Sequence, residues 1–479
     1  MVDRLAACAA GAVLIGYVGG CSSPFDPPST FQRNAPSPLT QAIPPGTDLR
    51  ADSAFRDEGG VPKGVGLEPT DSSTPDDYIR FALYHSPAVE AAYQRWLAAA
   101  ERLPQVRSLP DPRLGFSFFL DEVETRTGAQ QARIGISQSF PWPGVLAGRE
   151  DAAALAARAA WRRFEAERLR VAERVVETLH ELAYLDAAVR ITGENLDLLE
   201  SLEEVVRTRY RVGTGSHPEL TRVQVELGQL EDRLTQLRAM RPAYAADLNA
   251  ALARPIDAPV PALGVLPGRV VSGDGPSLVE MALASNPGLL ALDERIAEER
   301  ARWGVSRLEG LPEFTVGLDY IVTNDAMDSS IAESGDDPVL LNLGITLPIW
   351  RERYDAGTRE ALARRLAVSH DRADEANRLA ASIQRAWFEH TDADRRVRLY
   401  EQSLIPKAEE SLRSSLAGFR AGSTSFLDLL DTERTLLEFA VAAERARADR
   451  GQALARMNRL VGQPVPTRPA DDRDEEATP

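Results

Sequence analysis

The chain has 479 residues, a formal net charge of −17 and only two cysteines, Cys8 and Cys21. The acidic balance, with arginines interspersed among glutamates and aspartates, excludes a nucleic-acid surface, which needs clustered Lys and Arg. Because both cysteines lie near the start of the chain, the rest can hold neither a disulfide framework nor a cysteine-based metal site.

The chain opens with Arg4, an apolar run from Leu5 to Val18 and then Val18-Gly19-Gly20-Cys21. This reads as an export signal over 1–20 ending in a tetrapeptide that resembles a bacterial lipobox, with Cys21 as the acylated first residue of the mature chain. A plain signal peptide or anchor with an incidental cysteine is the alternative, although the run is short for a spanning helix of roughly 20 apolar residues. From 21 to 75 the chain is rich in Pro, Ser, Gly and Asp without an apolar period, which predicts an extended lipidated tether.

A helix is predicted from Pro87 to Leu103, followed by two stretches that alternate at period two. In the first, Leu114, Phe116, Phe118 and Leu120 oppose Arg113, Gly115 and Ser117; in the second, Ile134, Ile136 and Phe140 oppose Arg133, Gly135, Ser137 and Ser139. The polar stretch from Asp121 to Gln131 is expected as the loop between them. A proline-free run rich in Ala, Leu, Arg and Glu then predicts one helix from Val145 to Arg211, about 100 Å at 1.5 Å per residue. Its apolar stripe, Leu169, Val176, Leu179, Leu182, Leu185 and Val189, has the three- and four-residue steps of coiled-coil packing. Gly213-Thr214-Gly215-Ser216 predicts a sharp turn into a returning helix from His217 to Ala253.

The second half repeats this order after about 200 residues. Ala82-Leu83-Tyr84-His85-Ser86-Pro87 returns as Ala282-Leu283-Ala284-Ser285-Asn286-Pro287, and Tyr210-Arg211-Val212-Gly213 returns as Phe419-Arg420-Ala421-Gly422. Helix Pro287–Leu308 leads to two more alternating stretches. One sets Phe314, Val316, Leu318 and Tyr320 against Thr315, Gly317 and Asp319; the other sets Val339, Leu341, Leu343, Ile345 and Leu347 against Asn342, Gly344 and Thr346. A loop from Thr323 to Asp337 is expected between them. The second long helix is predicted over Arg353–Phe419 with a kink at Pro406, and its return over Thr424–Val461. Each returning helix is too short for its partner, and the preceding helix of the same half, stacked end to end with it, supplies the missing length. The repeats are placed at 76–265 and 276–466, with a disordered acidic tail over 467–479.

Four strands per chain are too few for a soluble sandwich, and in lipid an open strand edge leaves N–H and C=O groups unpaired at several kcal/mol each. Other copies must complete the sheet. Two copies would give eight strands and three would give twelve, and an eight-stranded barrel is filled by its own side chains whereas a conduit needs more.

The apparent lipobox, the duplicated strand and helix hairpins, Phe140-Pro141-Trp142 and Leu347-Pro348-Ile349 after the strands, and the two glycine tips together resemble the TolC-type outer-membrane efflux proteins. The resemblance covers about residues 76–466. It implies a mainly α chain with a membrane β-barrel, forming as a homotrimer a twelve-stranded barrel and a long coiled-coil periplasmic tunnel. It further implies a passive, non-enzymatic channel of a tripartite pump, sited in outer-membrane lipid and fed by a periplasmic adaptor (membrane fusion) protein and an inner-membrane pump of the resistance-nodulation-division type. By the same resemblance Arg211, Gly213, Arg420 and Gly422 are adaptor-contact candidates, and Asp428 with Asp431 falls where the family carries an aspartate gate. Spaced three apart, these two carboxylates share a helix face and would form two acidic rings in a trimer, favouring cations; a solvated helix face is the plainer reading. The first-half counterparts are Glu219 and Arg222, and Thr424 stands where family members often carry an arginine latch.

Nothing in the sequence has catalytic or metal-ligating spacing: the five histidines are scattered, no phosphate loop occurs, and no cofactor is expected beyond lipid on Cys21. The exported substrate is not written in the chain, although the Arg- and Glu-rich helix after the first tip resembles the heavy-metal branch. A lipid-anchored periplasmic coiled-coil scaffold or adaptor without a pore is the alternative; an adaptor would carry one helical hairpin flanked by compact β domains, not this duplicated unit.

Overall fold

The computed structural model describes residues 68–470 apart from 71 and 328–331. Cys21, the expected signal and most of the expected tether lie outside the described residues. All of the described residues belong to the compact unit formed by residues 42–479.

Each half begins with two short helices joined through a capping residue. Helices α1 (Pro75–His85) and α2 (Pro87–Ala100) meet at Ser86, whose side chain accepts from the Val89 N–H. In the second half α6 (Gly275–Ser285) and α7 (Pro287–Leu308) meet at Asn286, which accepts from the Leu289 N–H. Proline at the first helical position suits both starts, because its missing N–H would have had no partner there. In the first half a short helix, α3 (Arg102–Arg107), follows α2.

Strands β1 (Arg113–Thr125) and β2 (Gly128–Phe140) form the first hairpin, and β4 (Glu313–Thr323) and β5 (Val339–Thr346) the second. The sheet runs β1-β2-β4-β5, antiparallel throughout, so β1 and β5 are its edges within one chain. The expected loop over Asp121–Gln131 is much shorter. The strands continue to Thr125 and resume at Gly128, with a register shift between Phe118 and Val123. Backbone pairing does not require apolar side chains, and the irregularity breaks the period-two pattern that would have marked the extension.

The long helix α4 (Val145–Arg211) has the predicted bounds and returns through α5 (His217–Ala251). Its upper stretch packs on α2, with Trp96 and Trp161 edge to face at 4.9 Å, while its lower stretch receives α5, where Arg241 binds Asp186 at 2.6 Å. In the second half, α8 (Arg351–Leu399) and α9 (Ile405–Ala421) flank a π turn over Tyr400–Leu404, and α10 (Phe426–Val461) returns. The interruption expected at Pro406 thus takes the form of a widened turn just before it. Proline has no N–H for the i−4 carbonyl and its ring crowds that carbonyl, so a wider turn accommodates it.

One apolar core joins α1 and α2 to α4 and α5 through Tyr78, Phe81, Trp161, Phe164 and Leu248. Another joins α6 and α7 to α8 and α10 through Leu278, Leu289, Ile383 and Met457. The halves are also tied to each other, since α4 packs against both α7 and α10. Arginines along α10 reach both ways: Arg445 to Glu181 and Arg459 to Glu173 on α4, Arg456 to Glu389 and Arg450 to Asp394 on α8.

A second, two-stranded sheet was not anticipated. Strand β3 (Arg269–Val271), in the link between halves, pairs with β6 (Thr467–Pro469). The segment expected to begin a disordered tail at 467 is therefore ordered through Pro469, because the linker offers it an antiparallel partner. Three residues carry too little pattern to be read as a strand in sequence. No helix of the described residues is long and apolar enough to cross a membrane.

Candidate functional sites at the helix tips and in the strand sheet

The four-stranded sheet has its polarity inverted relative to a water-soluble protein. Along β4, Phe314, Val316, Leu318 and Tyr320 are exposed while Thr315, Gly317, Asp319, Ile321 and Thr323 turn inward. Leu120 is 98% exposed and Phe118 72%, and Leu114, Phe116, Leu341, Leu343 and Ile345 continue the same outward apolar band. Such an area is unfavourable in water at roughly 25 cal/mol per Å² and is at home against lipid. The polar faces line a hollow of about 700 Å³.

Within that hollow Asp319, only 7% exposed, accepts hydrogen bonds from the Arg133 guanidinium on β2 and the Asn342 amide on β5. Directly across from Asp319 on β2 is Gly135, and a Cβ there would stand 1.8 Å from the Asp319 carboxylate oxygen. Glycine is thus required for the carboxylate to lie flat on the wall. The period-two pattern assigned Arg133, Asp319 and Asn342 to one face, but only the strand order β2-β4-β5 brings the three together.

At the other end lie the two helix tips. Helix α4 closes on Gly213, φ 79°, whose N–H donates to the Tyr210 carbonyl at 3.1 Å; α9 closes on Gly422, φ 78°, whose N–H donates to the Phe419 carbonyl at 3.1 Å. A Cβ at either glycine would meet open space, so the left-handed backbone alone accounts for the residue type. Ser216 and Ser425 start the returning helices, accepting from the N–H groups of Glu219 and Asp428. Each partner's carboxylate answers: Glu219 accepts the Ser216 N–H at 3.0 Å, and Asp428 accepts the Ser425 hydroxyl at 2.7 Å.

The tips pack on each other. Arg209 lies over the Phe419 ring at 4.6 Å and donates to the Phe419 carbonyl at 3.1 Å, while Phe419 packs on Phe426 at 5.6 Å. Leu199, Val206, Val223, Leu429 and Leu437 complete this cluster. Arg211 and Arg420 remain exposed beside their glycines, and Asp428 and Asp431 are exposed on the same side of α10. Neither aspartate has an ion pair among the described residues. The hydroxyl of Thr424 sits in the space that the missing side chain of Gly418 leaves.

One ionisable residue behind Asp428 and Asp431 was not singled out in the sequence. Glu433, 2% exposed, faces α4, and its carboxyl is pushed up to about 7 by burial; the nearby Glu226 carboxylate adds to the rise, while a hydrogen bond from Asn195 works against it. One Glu433 oxygen and the Asn195 carbonyl oxygen have no partner. The signal was a charged residue among the buried positions Leu429, Leu430 and Leu437 of one face. Farther along the bundle, burial next to Arg450 and Arg445 lowers His180 to about 4, which keeps it neutral. Among the described residues no cluster of His, Cys, Asp and Glu could hold a metal ion.

Residues 278–463 match the family model described as outer membrane efflux protein. The chain is 22% identical over 368 residues to the cobalt-zinc-cadmium resistance protein CzcC of Cupriavidus metallidurans, covering 75% of this chain and 82% of the relative. Its fold is similar to that of the outer membrane protein VceC of Vibrio cholerae, with a TM-score of 0.67, 18% identity and coverage of 81% of this chain and 96% of the other. It is likewise similar to the fold of CusC, whose crystal structures concern transmembrane channel formation, with a TM-score of 0.67, 14% identity and coverage of 85% and 96%.

Proposed function

We propose that the chain is a member of the outer membrane efflux protein family, whose model matches residues 278–463, and that three copies form a passive, non-enzymatic conduit from periplasm to exterior, the outer component of a tripartite pump. The observation that carries this reading is a sheet with its apolar face outward and its two edges, β1 and β5, open within one chain. In lipid those edges must be paired, and other copies of the same sheet provide matching edges in a closed ring. Three copies supply twelve strands, enough to leave a lumen.

In this reading Cys21 is the acylated anchor, supported by the Val18–Cys21 tetrapeptide. The exposed tips at Arg211, Gly213, Arg420 and Gly422 meet a periplasmic adaptor, which couples the conduit to an inner-membrane pump of the resistance-nodulation-division type. Asp428 and Asp431, both exposed and without ion pairs among the described residues, form the acidic gate at the tunnel mouth. Adaptor docking separates the helix pairs there and widens the opening. The exported solutes are divalent metal cations, a reading supported by the likeness to CzcC and by the acidic gate.

The test is purification in detergent followed by planar-bilayer recording. A heat-sensitive trimer that conducts is expected; a single chain soluble without detergent and silent in bilayers overturns the proposal. For the substrate, deletion of the gene is expected to sensitise cells to cobalt, zinc and cadmium. Unchanged metal tolerance with lost drug tolerance would reject the metal reading alone.

A further inference from the structure

We propose that Arg133, Asp319 and Asn342 form a charge-compensated ring inside the barrel that adds no ion preference of its own while it is intact, leaving selection by sign to the acidic gate; this rests on the channel reading above. The three side chains come from three adjacent strands, β2, β4 and β5, and converge on one carboxylate. Asp319 pairs in register with Gly135 on β2 and with Leu340 on β5, and Asn342 pairs with Gly317, so a glycine leaves room on the β2 side of the carboxylate and on the β4 side of the amide. Arg133 reaches Asp319 diagonally, since its own register partner is Ile321.

The surrounding wall makes this cluster matter electrically. Besides Arg133 and Asp319, the only charged side chain lining the hollow among the described residues is Arg113, at the start of β1. Gly115, Gly135, Gly317 and Gly344 give the same wall no side chain at all. The Arg133 side chain is 43% exposed, so its guanidinium still faces the hollow while paired. A carboxylate as buried as Asp319 requires a paired charge and donors, which Arg133 and Asn342 supply. Threefold repetition of this pair gives three positive and three negative charges that cancel in sum, leaving Arg113 as the remaining charge of this wall. By contrast, Asp428 and Asp431 lie at the far end, exposed and without an ion pair among the described residues. Cation preference is therefore imposed at the tips, while the ring of pairs adds none of its own until it is broken.

The test is reversal potential in planar bilayers under a potassium chloride gradient, with full-length trimers. Asp319→Asn keeps the shape and leaves three uncompensated guanidinium groups, so the potassium-to-chloride permeability ratio is expected to fall by about threefold or more. Arg133→Gln leaves three carboxylates, still bonded to Asn342, and is expected to raise the ratio by a similar factor. The double variant is expected to return to the wild-type ratio, which a merely structural role for the clamp would not produce. If Asp319→Asn fails to give heat-sensitive trimers, Arg133→Gln decides alone. Conducting single variants with an unchanged ratio overturn this inference, whereas a wild-type protein that never conducts overturns the channel reading instead.

Discussion

The Ser425 hydroxyl donates to the Asp428 carboxylate at 2.7 Å, while the Asp428 N–H donates back to the Ser425 oxygen at 3.2 Å. Asp428 therefore organises the first turn of α10 as well as presenting charge at its surface, whereas Asp431, one turn on, has only the second role open to it. The two residues are separable by experiment. Asp428→Ala is expected to lower stability by about 0.5 kcal/mol, because the Ser425 hydroxyl loses its acceptor and the helix N-terminus loses a carboxylate, and Asp431→Ala by less. Both are expected to weaken cation preference similarly in bilayers. A variant pair that differs in thermal stability yet leaves ion preference untouched would reduce Asp428 to a support for the Ser425 cap.

The glycine turns offer a cleaner backbone test, because no neighbour lies within 4 Å of a Cβ built at Gly213 or Gly422. Alanine at either position meets only the unfavourable left-handed backbone, which costs roughly 1 kcal/mol. Gly422→Ala and Gly213→Ala are each expected to lower the thermal midpoint by a few degrees, with additive effects. A larger loss in adaptor binding than in stability would assign the tips a contact role of their own.

Glu433 should give the periplasmic bundle a pH dependence of definite sign. Its folded value is raised to about 7 from 4.5, so the folded state binds the proton more tightly than the unfolded chain. Stability is then highest while the carboxyl is protonated in both states and falls as pH rises from 4.5 through about 7. Glu433→Gln is expected to flatten that slope, unfolding at higher temperature than wild type at about pH 8 and at a similar temperature at about pH 4. Parallel melting curves across that range would show that Glu433 does not titrate as its burial implies.

The Arg450–Asp394 pair, 3.1 Å apart and buried on both sides, fastens α10 to α8. Removing Arg450 leaves the buried Asp394 carboxylate with Arg398 at 3.3 Å but without its interhelix guanidinium, so Arg450→Met is expected to destabilise by about 1–3 kcal/mol. Adding Asp394→Leu should recover much of that loss, since a buried ion pair can be replaced by packed apolar groups at little net cost. Chemical unfolding in detergent reads both; a double variant no better than the single would locate the damage in packing instead.

Much of this was legible in the sequence for physical reasons that operate locally. A proline-free helix of α4's length, period-two strands and glycine turns are written in neighbouring residues, because propensity, alternation and the left-handed backbone are properties of short stretches. Repetition then gave the order of elements twice over, and the count of strands already required other copies. What remained hidden depended on partners distant in sequence. The β3–β6 pair needs the linker beside the C-terminal segment; the extension of β1 past its irregularity needs β2. The clamp of Arg133, Asp319 and Asn342 exists only because β2, β4 and β5 lie side by side, and Glu433 is perturbed only because α4 and α5 cover it. Local chemistry determined which elements form and which faces are apolar, while tertiary packing decided which charges meet, because electrostatic pairing and desolvation depend on proximity in space and not on separation along the chain.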